Sequence, residues 1–134
     1  MKGIYCIDDD QLITEILKYQ LSVHLDSEKF SVECLNDPLS VIDTIKEAAT
    51  KGVEPVICII DFQMPFLRGD ELTRLLKDEY PEVKIIMLSG NSNAILVSDL
   101  EEEGMLDFYL SKPWSKDQLL SRINDCLPLN LKFA

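Results

Sequence analysis

Three consecutive aspartates follow a short apolar run near the start of the chain. The segment "YCIDDDQ" covers residues 5–11 and contains Asp8, Asp9 and Asp10. Adjacent ionised carboxylates repel one another by about 1 kcal/mol per pair even in bulk water, and by more where water is excluded. A bound cation would offset this repulsion, and carboxylate oxygens select hard divalent ions such as Mg²⁺ or Mn²⁺. An exposed acidic turn at a helix start is the alternative interpretation.

Three further polar residues follow other apolar runs. Asp61 follows "PVICII", Ser89 follows "VKIIML" and Lys112 follows "DFYLS". Mg²⁺ in proteins takes one or two carboxylates and keeps its other positions for water and phosphate oxygens. A hydroxyl and an ammonium beside it supply a hydrogen bond and a positive charge for the phosphoryl oxygens during transfer. The four groups together predict a phosphoryl-transfer site, although Ser89 alone could be a helix cap and Lys112 alone a surface lysine.

The elements that position these residues alternate between short apolar runs and longer segments of helical period. This alternation predicts βα units around a parallel sheet, with central strands that are apolar throughout. Because the carboxyl ends of parallel strands meet at one edge, we expect the acids, the hydroxyl and the lysine to converge there. The predicted strands cover residues 3–7, 30–35, 55–60, 83–88 and 107–110, and the predicted helices lie near residues 11–25, 38–51, 70–80, 93–103 and 115–127.

Local signals mark the faces and ends of the helices. Asp37 before Pro38 and Ser115 before the last helix are predicted caps, Gly52 is a predicted helix end, and Pro128 closes the last helix. One apolar stripe of the first helix is expected to face the core. That stripe consists of Leu12, Ile13, Ile16, Leu17 and Leu21.

Composition limits the class of protein. The 134 residues suffice for one domain with one core, and we expect residues 1–127 to form it, with residues 128–134 as a tail or the start of a linker. The net charge of −11 argues against nucleic acid as a partner of this domain. No apolar run approaches the roughly 20 residues that span a bilayer, and the start meets acid too early for a signal peptide. We therefore expect a cytoplasmic protein without a membrane partner.

The cysteines and the histidine are not predicted to do chemistry. Cys6, Cys34, Cys58 and Cys126 share no CxxC spacing, and the first three lie in strand-like runs, so reduced thiols in the core are expected. His24 is the only histidine, and no motif places a partner group near it.

In their order and spacing these residues resemble the receiver domain of two-component response regulators, over essentially the whole chain. A lone acidic pair or a lone "KP" would be a weak signal, but the ordered set is a strong one. The resemblance implies an α/β, flavodoxin-like, doubly wound (βα)5 fold with a five-stranded parallel sheet in the order 2-1-3-4-5. The matching features are Asp8 and Asp9, Asp61 followed by "FQMPFLRG", Ser89, and "KP" at Lys112 and Pro113.

The resemblance also implies roles for the site residues. Asp61 would be phosphorylated, with Lys112 and Ser89 assisting. Mg²⁺ or Mn²⁺ would be held by Asp9 and Asp61 directly, by Asp8 through a water molecule and by the backbone carbonyl of Gln63. The phosphoryl group would come from a sensor histidine kinase or a histidine phosphotransfer protein, as in a phosphorelay. The domain would thus be a signalling phosphoacceptor that catalyses only its own phosphorylation and dephosphorylation.

The resemblance extends to the loop after Asp61 and to the output surface. Met64 and Pro65 would shape that loop, and Gly69 would let it turn into the third helix, whereas Asp10 would flank the metal site or cap a helix. Ser89 and Tyr109 would form a switch that changes the face made by helix 4, strand 5 and helix 5. An output domain, a target protein or a second copy in a homodimer would bind this face.

Two other functions are compatible with parts of the pattern. A haloacid-dehalogenase-like phosphatase would use Asp8 as its nucleophile, but it leaves Asp61 without a role, and the chain has no cap domain. A pseudo-receiver would be an interaction module that never carries phosphate, although every site position here holds a competent side chain.

Overall fold

The computed structural model describes residues 1–90 and 94–133, in which strands and helices alternate. The predicted strands and helices are confirmed to within a few residues at each end, and residue 93 of the fourth predicted helix lies outside the described part. The elements are β1 (Lys2–Ile7), α1 (Gln11–His24), β2 (Phe30–Leu35), a 3-10 turn (Pro38–Ser40), α2 (Val41–Thr50), β3 (Glu54–Asp61), α3 (Gly69–Glu79), β4 (Lys84–Ser89), α4 (Ala94–Glu102), β5 (Phe108–Ser111), α5 (Lys116–Cys126) and a second 3-10 turn (Leu129–Leu131).

The five strands form one parallel sheet in the order β2-β1-β3-β4-β5, which confirms the predicted fold class. Its register aligns Ile7 with Ile60 across the β1–β3 pair, and Ser89 with Ser111 across the β4–β5 pair. All the carboxyl ends therefore lie at one edge, and the reversal of strand order beside β1 and β3 opens a crevice there.

Helices cover both faces of the sheet and create two apolar layers. On one face, Ile57 and Ile59 of β3 pack in a cluster with Leu17 and Leu21 of α1. On the other face, Ile60 belongs to a second cluster together with residues of α2, α3 and α4. Full burial of such side chains contributes about 1.5–3 kcal/mol each to stability, so the layers hold the strand ends in place.

The predicted apolar stripe of α1 is wrong at two positions. Thr14, Leu17 and Leu21 are buried, whereas Leu12 is 62% exposed and Ile16 is 39% exposed. An α-helix turns by about 100° per residue, so Ile16 points about 100° away from Leu17 and Leu12 points about 140° away. The side chain that faces the sheet in their place is the hydroxyl of Thr14.

The predicted helix signals are confirmed. The Asp37 carboxylate accepts a hydrogen bond from the Leu39 amide at 3.0 Å, and the Ser115 hydroxyl accepts one from the Gln118 amide at 3.3 Å. Gly52 has φ +86°, the left-handed conformation that favours glycine at a helix end.

The cysteines and the C-terminal residues fit the packing. All four cysteines are free thiols, and three of them lie in strands, as predicted. Leu131 and Phe133 pack against the cluster that contains α1, and the Phe133 amide donates to the Asn124 side chain at 2.8 Å. Within the described residues, no helix has the length and apolar character needed to cross a membrane.

Candidate phosphoryl-transfer site

Three of the predicted acidic residues come together at the carboxyl edge of the sheet. Asp8 directly follows β1, and Asp61 is the last residue of β3, so neighbouring strands deliver them side by side. Oxygen atoms from the carboxylates of Asp8, Asp9 and Asp61 all lie within 4.8 Å of one another. Asp8 and Asp61 are 2% and 5% exposed, whereas Asp9 is open to solvent. The cluster is thus a crevice with two buried walls and one accessible carboxylate.

Lys112 enters this crevice from the end of β5. Its Nζ atom lies 2.8 Å from Oδ2 of Asp8 and 2.8 Å from Oδ1 of Asp61. The Lys112 backbone amide donates to the carbonyl of Ser89 at 2.8 Å, which continues the β4–β5 pairing one residue beyond the strand. A single ammonium group therefore bridges two buried carboxylates from different strands.

The electrostatics of the crevice reflect two acids that share one cation. Burial raises the pKa of Asp8 and of Asp61, and the hydrogen bond from Lys112 opposes that rise without cancelling it. Burial alone would lower the pKa of Lys112, but its bonds to the two carboxylates raise it. The lysine is therefore charged at neutral pH, while the carboxylates gain from any further positive charge.

A network on the β2 side fixes Asp8. Its Oδ1 atom accepts a hydrogen bond from the Asp10 amide at 2.9 Å, and its backbone carbonyl accepts one from Nδ2 of Asn36 at 2.9 Å. The same Asn36 nitrogen also lies 3.0 Å from the hydroxyl of the buried Thr14. Sequence reasoning did not identify Asn36 or Thr14, although Asn36 is the polar residue directly after β2, the signal that had identified the other site residues.

Asp10 caps α1. Its carboxylate accepts a hydrogen bond from the Leu12 amide at 2.9 Å. This bond satisfies one of the free N–H groups at the start of the helix and directs the carboxylate away from the acidic cluster. Of the two roles that the sequence suggested for Asp10, the structure shows helix capping.

The loop after Asp61 combines buried and exposed side chains. The backbone of Gln63 acts to lower the pKa of the Asp61 carboxylate, and the Gln63 side chain is exposed to solvent. Met64 is 6% exposed and anchors the loop in the core, next to an exposed Pro65. Phe66 is 88% exposed and has φ +72°, a conformation that is rare for a bulky residue. Phe66 is thus an exposed residue in an unusual backbone conformation on the loop after Asp61, a feature that the sequence pattern did not predict.

Gly69 is required by a close approach of the backbone. A Cβ atom at this position would lie 2.3 Å from the Asp61 carbonyl oxygen and 2.8 Å from the Phe62 Cα atom. The Gly69 amide donates to the Phe62 carbonyl at 2.7 Å, which draws the start of α3 against the end of β3. Gly69 is already the first residue of α3, so its function is to bring α3 against Asp61 more than to turn the loop.

The two predicted switch residues occupy different surroundings. Ser89 is 1% exposed and ends β4 at the same edge as Asp61. Tyr109 pairs with Met87 in the sheet register and is 38% exposed, so its ring lies at the surface. The structure thus places Ser89 at the site edge and Tyr109 outside the acidic cluster.

The donor set fits a hard divalent cation. Three carboxylates, one of them open to solvent, provide oxygen ligands and leave room for water molecules, which is the environment that Mg²⁺ prefers. Sulfur and imidazole ligands, which favour softer metals, are absent from the cluster in the described part of the chain.

The match with known families decides the class of the protein. Residues 4–124 match the family model described as the response regulator receiver domain. The chain belongs to this family. The match favours the receiver interpretation over a haloacid-dehalogenase-like phosphatase, because it covers most of the chain and agrees with the observed strand order.

Individual relatives agree with the family. The chain is 29% identical to the response regulator protein TodT of Pseudomonas putida over 94% of its own length and 51% of that protein. It is also 29% identical to the transcriptional regulatory protein FixJ of Bradyrhizobium diazoefficiens, over 92% of its own length and 56% of that protein. A receiver domain from Clostridium thermocellum has the same fold, with a TM-score of 0.80 at 23% identity over 94% of both chains. The chain therefore spans about half the length of the curated relatives it matches.

Proposed function

We propose that this receiver domain accepts a phosphoryl group on Asp61 from a histidine kinase or a histidine phosphotransfer protein. The observation that carries the proposal is the position of Lys112, whose ammonium lies 2.8 Å from both Asp8 and Asp61 inside the acidic cluster. Phosphoryl transfer depends on positioning and on stabilisation of charge at the phosphoryl oxygens. A lysine fixed beside the accepting carboxylate meets both needs.

The transfer step forms one bond and breaks one bond. A carboxylate oxygen of Asp61 attacks the phosphorus of a phosphohistidine, the P–N bond breaks, and the electron pair leaves with the imidazole nitrogen. The product is an acyl phosphate on Asp61. Lys112 keeps its proton throughout, because its raised pKa leaves the ammonium charged at neutral pH, and it balances charge that develops on the phosphoryl oxygens.

The metal in this proposal is Mg²⁺ or Mn²⁺. Asp9 and Asp61 would bind it directly, with Asp8 acting through water and Gln63 through its backbone carbonyl. When bound, the ion supplies positive charge to the acids and to the incoming phosphoryl oxygens. Asp8 meanwhile stays fixed by the Asp10 amide and by Asn36, so that its carboxylate does not have to reorganise.

The signal would leave the site through Ser89 and Tyr109. A phosphoryl group on Asp61 adds strong acceptor oxygens, and the buried Ser89 at the end of the adjacent strand would be drawn towards them. Tyr109 would then turn inwards from its surface position and change the face formed by α4, β5 and α5. An output domain, a target protein or a second copy of the chain would recognise that face. Because the domain modifies only itself in this reaction, we propose that it is a phosphoacceptor.

Intact-mass measurement tests the chemistry. Incubation with acetyl phosphate and Mg²⁺ should add the mass of one phosphoryl group to the wild-type protein. Asp61→Asn should remain unmodified, while Asp43→Asn, which changes an exposed aspartate of α2, should react like wild type. Labelling of Asp61→Asn, or its absence from wild type, would contradict the proposal. A phosphatase activity that depends on Asp8 but not on Asp61 would support the dehalogenase-like alternative.

A further inference from the structure

The indole of Trp114 links the segment after β5 to α1. Its Nε1 atom donates a hydrogen bond to Oε1 of Gln20 at 3.0 Å. Both side chains are half-buried, and Trp114 packs against the core cluster that contains α1 and α5. The two residues line a cleft of about 440 Å³ together with Ile13, Ile16, Lys112 and Pro113. The contact therefore lines the same cleft as the lysine that enters the acidic site.

Lys112 needs support on both sides of its own backbone. A lysine side chain loses rotamer entropy when it is held in one conformation. On the side towards β5, the Lys112 amide is fixed by the Ser89 carbonyl at 2.8 Å. On the other side, the first side-chain hydrogen bond to a distant element is that of Trp114, two residues later. Ser115 then caps α5. Trp114 is thus the residue between Lys112 and the start of α5 that ties this segment to α1.

We propose that Trp114 is a positioning residue for Lys112, and that Gln20 is its acceptor on α1. The proposal rests on the proposed function for the role of Lys112 in phosphoryl transfer. In it, the Trp114–Gln20 bond fixes the segment 112–115 against α1, so that the ammonium of Lys112 stays over both carboxylates. Asp8 and Asp9 lie in the short connection between β1 and α1, so the helix that follows the acids also carries the acceptor that orients their lysine.

The chemistry of the indole explains why tryptophan suits this position. A phenylalanine ring would fill much of the same space but has no N–H group to donate. Gln20 would then lose its partner in a half-buried place, and the segment would lose its bond to α1. The variants Trp114→Phe and Gln20→Leu therefore remove the same interaction from its two ends, and Gln20→Glu keeps an acceptor oxygen.

The first experiment measures the rate of Asp61 phosphorylation by acetyl phosphate at saturating Mg²⁺. We expect Trp114→Phe and Gln20→Leu each to slow the reaction about fivefold, as the loss of one hydrogen bond of ordinary net strength predicts. The double variant should be no slower than either single variant, and Mg²⁺ affinity should change less than twofold. Gln20→Glu should retain most of the rate, and Gln118→Leu, which changes an exposed glutamine of α5, should match wild type.

Other outcomes of the rate experiment are equally decisive. Wild-type rates in both single variants, or multiplied losses in the double variant, would overturn the positioning role. A wild-type protein that takes no phosphoryl group would contradict the proposed function instead, so the two failures are distinguishable.

A second experiment tests the positioning without any reaction. Urea unfolding of Trp114→Phe, Lys112→Met and the double variant forms a double-mutant cycle. If Trp114 holds Lys112 over the carboxylates, the stability loss from Trp114→Phe should at least halve in the Lys112→Met background. Equal losses in both backgrounds would show that Trp114 only packs, and would overturn the proposal. Gln118→Leu should give the same small change in both backgrounds.

Discussion

The single ammonium of Lys112 pairs with two carboxylates, those of Asp8 and Asp61. Because there are two negative charges and one positive charge, the stability of the domain without metal should depend on pH. Both carboxylates have a raised pKa because burial favours their neutral forms more than one shared lysine can offset. A raised carboxylate pKa means that the folded state binds protons more tightly than the unfolded state. The stability that this tighter proton binding contributes is fully present below the ordinary aspartate pKa, and it is lost as the pH rises through the raised pKa of the folded state.

The first prediction follows for Asp61→Asn without metal. At neutral pH the unfolding free energy of this variant should exceed that of wild type by about 1 kcal/mol or more, because the substitution removes the repulsion between the carboxylates. The advantage should shrink as pH is lowered towards the ordinary aspartate pKa of about 3.9, because the folded wild-type carboxylate, whose pKa is raised, takes up its proton before that pH is reached. Urea unfolding at a series of pH values measures both effects. An advantage that grows at low pH would contradict the assignment, and Asp43→Asn serves as the control.

The second prediction concerns Gly69. Gly69→Ala places a Cβ atom against backbone atoms, which cannot move aside as a flexible side chain could. We expect a loss of about 2 kcal/mol or more in unfolding free energy, the range of strained backbone substitutions. Gly90→Ala is the matched control, since a Cβ atom there meets nothing within 4 Å, and its change should stay within about 0.5 kcal/mol. Equal stability of the two variants would show that α3 does not press against Asp61.

At this scale the sequence predicted the chemical groups better than their supports. Asp8, Asp61, Ser89 and Lys112 were identifiable because polar residues at the ends of apolar runs are unusual. Asn36 carries the same signal, since it directly follows β2, but its supporting role could not be predicted because it depends on the β1–β2 pairing that brings its amide to the Asp8 carbonyl. The Trp114–Gln20 bond joins residues far apart in the chain and has no local sequence signal.

At the scale of elements, the periodicity of α1 predicted that the segment is a helix but did not predict which of its faces packs against the sheet. The helix carries apolar residues around more than half of its circumference, so the pattern alone did not identify the face against the sheet. Leu17 and Leu21 are buried, while Leu12 and Ile16 are exposed. The strands were easier to predict, because burial on both faces makes central parallel strands apolar throughout. Their order came from the family resemblance, since residue patterns do not encode which strands are neighbours.

The third prediction compares two leucines of α1. Leu17→Ala should lower the unfolding free energy by about 2–5 kcal/mol, because it leaves a cavity in a packed layer. Leu12→Ala should change it by less than about 0.5 kcal/mol, because a 62% exposed side chain loses little burial. Both variants keep helix propensity high, so the difference reports burial. Similar losses at the two positions would mean that the outer face of α1 is covered in solution.

At the scale of the whole molecule, acidic charge dominates. With 13 basic and 24 acidic residues, the net charge of −11 opposes compaction by self-repulsion. Any added salt screens this repulsion, whereas a specific divalent ion also binds the acidic cluster. The two contributions can be separated, because only the second depends on the residues of one site.

The fourth prediction separates them. At matched ionic strength, MgCl₂ should stabilise the domain more than NaCl, by about 1.4 kcal/mol when the ion is present at ten times its Kd. Asp9→Ala should lose this excess and keep the response to NaCl. Thermal unfolding in the two salts provides the measurement, with Asp43→Asn as the control for removal of one negative charge. If MgCl₂ stabilised Asp9→Ala over NaCl as much as it stabilises wild type, Asp9 would not be a ligand of the metal.

Because the acidic cluster, Ser89 and Lys112 all lie at one edge of the sheet, we expect the opposite edge to tolerate insertions. A strand can be neither lengthened nor shortened by one residue without turning its end group to the other face. The turns at the far edge carry no such constraint: Gly52 and Gly104 are exposed, and no atom lies within 4 Å of the Cβ position at either. A short glycine-serine insert after Gly52 should therefore leave acetyl phosphate labelling of Asp61 intact, whereas a single residue inserted between Ile59 and Ile60 should abolish it. Insertions should therefore be tolerated in the turns at the amino ends of the strands, whereas the length of the strands that end at the site should be fixed.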